Sequence, residues 1–167
     1  MNLYSYSDAP QRAVTLSRKC PPSNTAFSVG AIVFDAQGVE VATGYSRETD
    51  PKSHAEEVAL EKAGLSSRDV RGGTFVSSLE PCGRRLSGRP SCADLIIHAG
   101  IAHVVYILPE PAIFVERTGE EKLKAAGVEV VVMPELAKLV EQINAHLYKK
   151  REGNYSQPNS EYITPSW

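Results

Sequence analysis

The chain has 167 residues, 42% of them hydrophobic and 23% charged, the size and composition of one domain with a real core. A net charge of −2 and a pI near 6.1 disfavour nucleic acid and acidic membrane surfaces as partners. The longest apolar runs, 29–34 and 104–108, have strand length and fall far short of the roughly 20 residues a bilayer span needs.

Asp8 and Pro10 read as a cap and a first-turn proline, predicting a helix to about Arg18 that Pro21 and Pro22 stop. Residues 27–35 and 39–45 are β-rich runs joined by Ala36-Gln37-Gly38, a hairpin signal. Apolar residues at 55, 58, 59 and 63 predict a helix over 53–63, capped by Ser53 and closed by Gly64. A strand is predicted over 74–79 and a short helix over 91–99. Strand and helix then alternate over 103–108, 116–126, 128–133 and 134–147, with Gly127 and Pro134 at the expected boundaries. The alternation implies an α/β sandwich whose later sheet is largely parallel. One domain is expected over 1–150. The polar, aperiodic tail over 151–167, with Tyr155, Tyr162 and Trp167, is a candidate cover for a pocket in its own or a neighbouring subunit.

The N-terminal stretch lacks the basic and apolar regions of a secretory signal. Three cysteines, an odd number, argue for a reducing compartment and against a disulfide framework, so a cytoplasmic protein is expected. The cysteines then need another explanation. Cys20, beside two prolines, reads as structural. Cys82 and Cys92, with His54, form a set of two thiolates and one imidazole suited to Zn2+, a borderline-soft ion that prefers tetrahedral nitrogen and sulfur. Three protein ligands leave one position for water, whose pKa zinc lowers from about 15.7 to about 7. A carboxylate beside it can take and pass on the proton. Each residue alone has an ordinary explanation as a core or surface side chain. Together they lie near strand-to-helix junctions, where α/β sheets place their sites.

Spacing leaves the carboxylate open between two neighbours. Residues two apart on a helix point about 200° from each other, so Glu57 would share a face with His54 more readily than Glu56. Glu56 fits only if the helix begins at about His54.

His54-Ala55-Glu56, then Pro81-Cys82 and a further cysteine, resemble the H-x-E…P-C-x-x-C zinc signature of the cytidine deaminase-like superfamily. The resemblance covers roughly 26–147. It implies Glu56 as proton shuttle, His54, Cys82 and Cys92 as zinc ligands, and a three-layer sandwich with a five-stranded mixed sheet flanked by helices. It also implies a small heterocyclic amine as substrate and a homodimer as assembly.

Nine residues, 83–91, separate the cysteines where most members have two. That insert resembles the deaminase domain of riboflavin biosynthesis enzymes, which act on a diaminopyrimidine carrying a ribose phosphate. Asn24 looks like that subgroup's substrate-contacting asparagine, and the run from Ser78 follows the subgroup in its general course, adding Ser78 to the candidate contacts. Arg84, Arg85 and Arg89 are candidates to hold a phosphate, and Phe27 and Tyr45 to stack on a ring. Other features depart. The subgroup's histidines after the first cysteine are Arg84 and Arg85 here, and residues 50–56 resemble guanine and tRNA adenosine deaminases. A free nucleobase or nucleoside of cytosine, guanine or triazine type therefore stays an alternative substrate. A non-catalytic zinc-stabilised binding module is the alternative of a different class.

Overall fold

The computed structural model describes residues 6–111 and 118–152, with side chains as far as Tyr148. Helix α1 (Ala9–Ser17) leads into strands β1 (Gly30–Phe34) and β2 (Glu40–Tyr45), then α2 (Ala55–Gly64), β3 (Thr74–Leu79), α3 (Cys92–His98) and β4 (His103–Leu108). Helix α4 (Gly119–Ala125), β5 (Glu129–Val132), α5 (Ala137–Ile143) and α6 (Ala145–Glu152) complete the order. The five strands form one sheet in the order β2-β1-β3-β4-β5. β1 is antiparallel to both β2 and β3, while β3, β4 and β5 run parallel. This is the five-stranded mixed sheet expected from the resemblance.

Strand parity divides the core. Ile32, Phe34, Val76 and Val105 pack against Ala9 and Ala13 of α1 on one face. Ala31, Val33, Phe75 and Val104 pack with Ala59, Ala63, Ala93, Ile96 and Leu123 of α2, α3 and α4. Each fully buried aliphatic side chain contributes roughly 1.5–3 kcal/mol. Gly44 lets α2 lie close to β2, because a Cβ there would stand 2.4 Å from the Ala55 carbonyl oxygen. That contact fixes the start of α2, where the site is built.

Several boundaries differ from those predicted. Residues 27–29 lie outside β1, since Val29 donates its N–H to the Ser46 hydroxyl at 2.9 Å and Ser28 to the Asn144 side chain at 2.7 Å. The cap of α2 is His54, with extended φ −87° and ψ 153°. Ser53 instead donates its hydroxyl to the Asp50 carbonyl at 3.0 Å. The single helix predicted over 134–147 is a 3-10 turn (Pro134–Leu136) followed by α5 and α6. Buried Asn144 separates the two helices, donating to the carbonyls of Val140 at 3.0 Å and Ser28 at 3.3 Å. Side-chain bonds of this kind compete with the helical ladder. The predicted helix start at 116 lies outside the described residues, as does the tail beyond Glu152. Among the described residues no helix is long and apolar enough to cross a membrane.

Candidate active site and metal centre

Three chain segments converge at the C-terminal end of β3. His54 caps α2, Cys82 follows β3 and Pro81, and Cys92 is the first residue of α3. Because His54 precedes the helix in extended conformation, the 200° separation on a regular helix does not apply to it. Its ring and the carboxylate of Glu56 therefore reach the same pocket.

His54 Nδ1 lies 3.3 Å from Cys92 Sγ and 3.6 Å from Cys82 Sγ. The three ligand atoms are all within 4.8 Å of one another. A tetrahedral zinc with ordinary Zn–N and Zn–S bonds separates nitrogen from sulfur by about 3.5 Å, so the donor set fits the ion. Burial pulls His54 down to about 3, which keeps the imidazole neutral with a lone pair for a metal. Burial, then the neighbouring Cys82, pushes the Cys92 thiol well above its usual value. Cys92 thus holds a proton that a cation must displace. Among the described residues no fourth His, Cys, Asp or Glu joins this group, which is the open pattern of a catalytic centre. His103, on β4, faces Glu129 at 3.5 Å.

The cysteines are held by backbone. Ser91 caps α3 by accepting the Asp94 N–H at 3.1 Å. The Cys92 N–H points at Cys82 Sγ at 3.3 Å, and Ala93 N–H at the Cys82 carbonyl at 3.0 Å. Gly119 allows α4 to press on this loop, where a Cβ would meet the Pro81 oxygen at 1.8 Å. Buried Glu80 ties the same region together, its carboxylate accepting the N–H groups of Glu110 at 2.9 Å and Glu120 at 3.1 Å.

Glu56 and Glu57 are distinguished by environment. Glu56 is buried, accepting the Ser77 hydroxyl at 3.1 Å on one oxygen and lying 3.4 Å from Cys92 Sγ with the other. Burial raises its carboxyl above the usual range. Glu57 turns away, accepting the His54 N–H at 3.3 Å, and pairs with Arg85 at 3.0 Å and Arg89 at 3.6 Å.

The sequence profile of the cytidine and deoxycytidylate deaminase zinc-binding region matches residues 4–108. The chain belongs to this family. It is 40% identical over 133 residues to the diaminohydroxyphosphoribosylamino-pyrimidine deaminase of Schizosaccharomyces pombe, covering 78% of this chain and 33% of that one. It is 35% identical over 143 residues to the riboflavin biosynthesis protein RibD of Aquifex aeolicus, covering 84% and 36%. The chain thus spans about a third of the length of these curated relatives. Among solved structures, the Rib2 deaminase of Aspergillus oryzae (a C-terminal deletion mutant) is similar with TM-score 0.75 and 26% identity, over 89% of this chain and 95% of that one. The same protein has been solved in complex with DARIPP.

Within this deaminase fold the remaining sequence candidates take distinct places. Phe27 lines the pocket beside the ligands. Tyr45 is half-buried in β2 and does not line it. Ser78 faces away from Glu56 and accepts the Gly30 N–H at 3.1 Å. Its neighbour Ser77, which sequence reasoning did not single out, holds the carboxylate. Asn24 is exposed and lines a separate cavity with Ser23, Ser28 and His146. Arg84 is exposed, whereas Arg85 is turned inward, donating to Glu57 and, at 2.7 Å, to the Lys52 carbonyl. The insert between the cysteines therefore clasps the segment that carries His54. Arg89 reinforces it through Asp50 at 3.3 Å. Sequence reasoning also missed Arg47 and Glu110, both in the pocket wall; neither belongs to a short motif that would have marked it.

Proposed function

We propose that this chain is a hydrolytic deaminase of a diaminopyrimidine bearing a phosphoribosylamino group. In the net reaction water adds its oxygen to the amine-bearing ring carbon, the exocyclic carbon–nitrogen bond breaks, and ammonia leaves. The observation that carries the reading is Glu56, a buried carboxylate beside a three-ligand set that no fourth residue closes among the described residues. A zinc-stabilised binding module has no use for such a carboxylate.

When bound, zinc supplies the Lewis acidity that makes water a nucleophile at neutral pH. His54, Cys82 and Cys92 are the residues that would hold it. Glu56 takes a proton from water, passes it to the ring nitrogen and serves the departing amine. Ser77 fixes one oxygen of that carboxylate, leaving the other toward Cys92 and the pocket. The raised affinity of Glu56 for a proton, a consequence of burial, suits a group that must carry one between two steps. Phe27 presents a ring face or edge to the heterocycle.

The named activity of the S. pombe relative and the ligand of the A. oryzae structure support the substrate class. Three free cysteines support a cytoplasmic setting; a homodimer is proposed on the family resemblance alone. The test is ammonia release from the phosphorylated diaminopyrimidine, set against cytosine, guanine and aminotriazines. Turnover of a free base with none on the phosphorylated pyrimidine would replace the substrate, and no turnover on any would sink the reading.

A further inference from the structure

The sequence places the anion-holding arginines in the insert between the cysteines, and the structure engages them elsewhere. Arg85 pairs with Glu57, Arg89 with Asp50 and Glu57, and Arg84 lies outside the pocket. Among the described residues the pocket wall carries two cations, Arg47 and Lys52, both on the loop between β2 and α2. We propose that Arg47 and Lys52 form an anion subsite of this pocket, taking the phosphate or other acidic substituent of the ligand. The substrate assignment rests on the deaminase reading above; the anion binding itself does not.

Arg47 is half-buried, yet its guanidinium meets only neutral acceptors among the described residues. Nε and Nη2 donate to the Pro21 carbonyl at 3.0 and 2.8 Å, Nη1 to the Phe27 carbonyl at 3.0 Å, and Nη2 also to the Ser28 hydroxyl at 2.9 Å. Buried arginine is ordinarily matched to a carboxylate, because removing a charge from water is costly without a counter-ion. Here that charge stands in the pocket wall with no carboxylate in ion-pair distance among the described residues. Burial pulls the group down from its usual range, although a guanidinium stays charged at neutral pH.

The backbone is an independent observation. Arg47 is the one non-glycine residue with positive φ among those described, at 62°. A residue with a Cβ adopts that region at a cost, and such outliers gather where a side chain must be aimed. The Arg47 N–H donates to the Ser53 carbonyl at 2.8 Å, locking the turn next to the metal's histidine. Lys52 is exposed, and its ammonium makes no hydrogen bond among the described residues. Its carbonyl is fixed by Arg85, so the residue is anchored while its charge is available. The same pocket wall also carries Glu56, Glu80 and Glu110.

The probe is ribose 5-phosphate, titrated calorimetrically into the zinc-loaded full chain beside ribose. The wild type is expected to bind the phosphate ester and not ribose, less tightly as salt is raised. Arg47→Met weakens that binding about tenfold or more, the scale of one lost charge-assisted contact. Lys52→Met weakens it several-fold, and because its side chain bonds nothing described, it carries the test if Arg47→Met disturbs the loop. Arg47→Lys keeps the charge but gives up the fork that donates to Pro21, Phe27 and Ser28, and it falls between wild type and Arg47→Met; equal loss in both would make Arg47 a brace and not a binding group. Undiminished binding to the double variant, or none to the wild type, overturns the subsite. Ammonia release keeps the two readings apart. Turnover of the phosphorylated pyrimidine with KM unmoved in the double variant removes the subsite and leaves the deaminase. Ribose 5-phosphate binding without turnover of any amine removes the deaminase and leaves the subsite.

Discussion

The first turn of α2 and the insert between the cysteines both bring charge to the metal ligands, and they treat it in opposite ways. In the turn, Glu56 is buried against a hydroxyl and a thiol, with no cation in ion-pair distance among the described residues. In the insert, Arg85 and Arg89 are matched to Glu57 and Asp50. Charge that is fully paired holds the chain together. Charge kept in neutral company retains a field that a substrate or a proton can use, and Arg47 belongs with Glu56 in that second group.

Breaking the comparison at its centre has the largest effect. Cys82→Ala leaves two ligands, and metal analysis is expected to show zinc lost together with turnover. Glu56→Gln keeps the ligands, so zinc content stays near one per chain while kcat falls by about 10²–10⁴-fold, the usual worth of a positioned proton carrier. Glu57→Gln should leave kcat far less changed. If both variants lose turnover equally, the two carboxylates are not different in kind.

Titration with pH sharpens the same contrast. The Cys92 thiol is raised by burial and by Cys82, so it is protonated in the metal-free protein at neutral pH and must release that proton on binding. Zinc affinity, measured by chelator competition, is expected to rise about tenfold per pH unit for each proton released, and to stop rising above the thiol pKa. A flat profile between pH 6 and 8 would mean the Cys92 thiolate is already present. Arg85→Met tests the paired region. It removes the shorter of the two ion pairs of Glu57, loosens the cap on His54, and weakens zinc binding by about 10–100-fold, as supporting groups around metal ligands do. The smallest effect is Arg84→Ala, an exposed residue, for which zinc affinity and KM are expected to stay within about twofold. A large rise in KM there would return phosphate binding to the insert.

Much of the site was readable in the chain because the ligand types are few and their chemistry is narrow. His54, Cys82 and Cys92 are identifiable by donor type, and the structure gathers them. Periodicity left Glu56 and Glu57 undecided because it assumes a regular helix, and His54 sits at a cap where that geometry has not begun. The helix predicted over 134–147 failed at Asn144 for a related reason. Its side chain bonds to Ser28, 116 residues away, and no local propensity encodes a partner that distant.

Taken alone, the sequence determined the α/β alternation, the sheet's hydrophobic strands and the set of atoms able to bind zinc, since these depend on side-chain chemistry and short-range pattern. Tertiary structure decided which of two adjacent glutamates enters the pocket and which of several arginines is neutralised. It also placed Ser77, rather than Ser78, against the Glu56 carboxylate. Those outcomes depend on burial and on partners contributed by remote segments, and a charge acquires its role only when the surrounding fold settles what lies within a few ångströms of it.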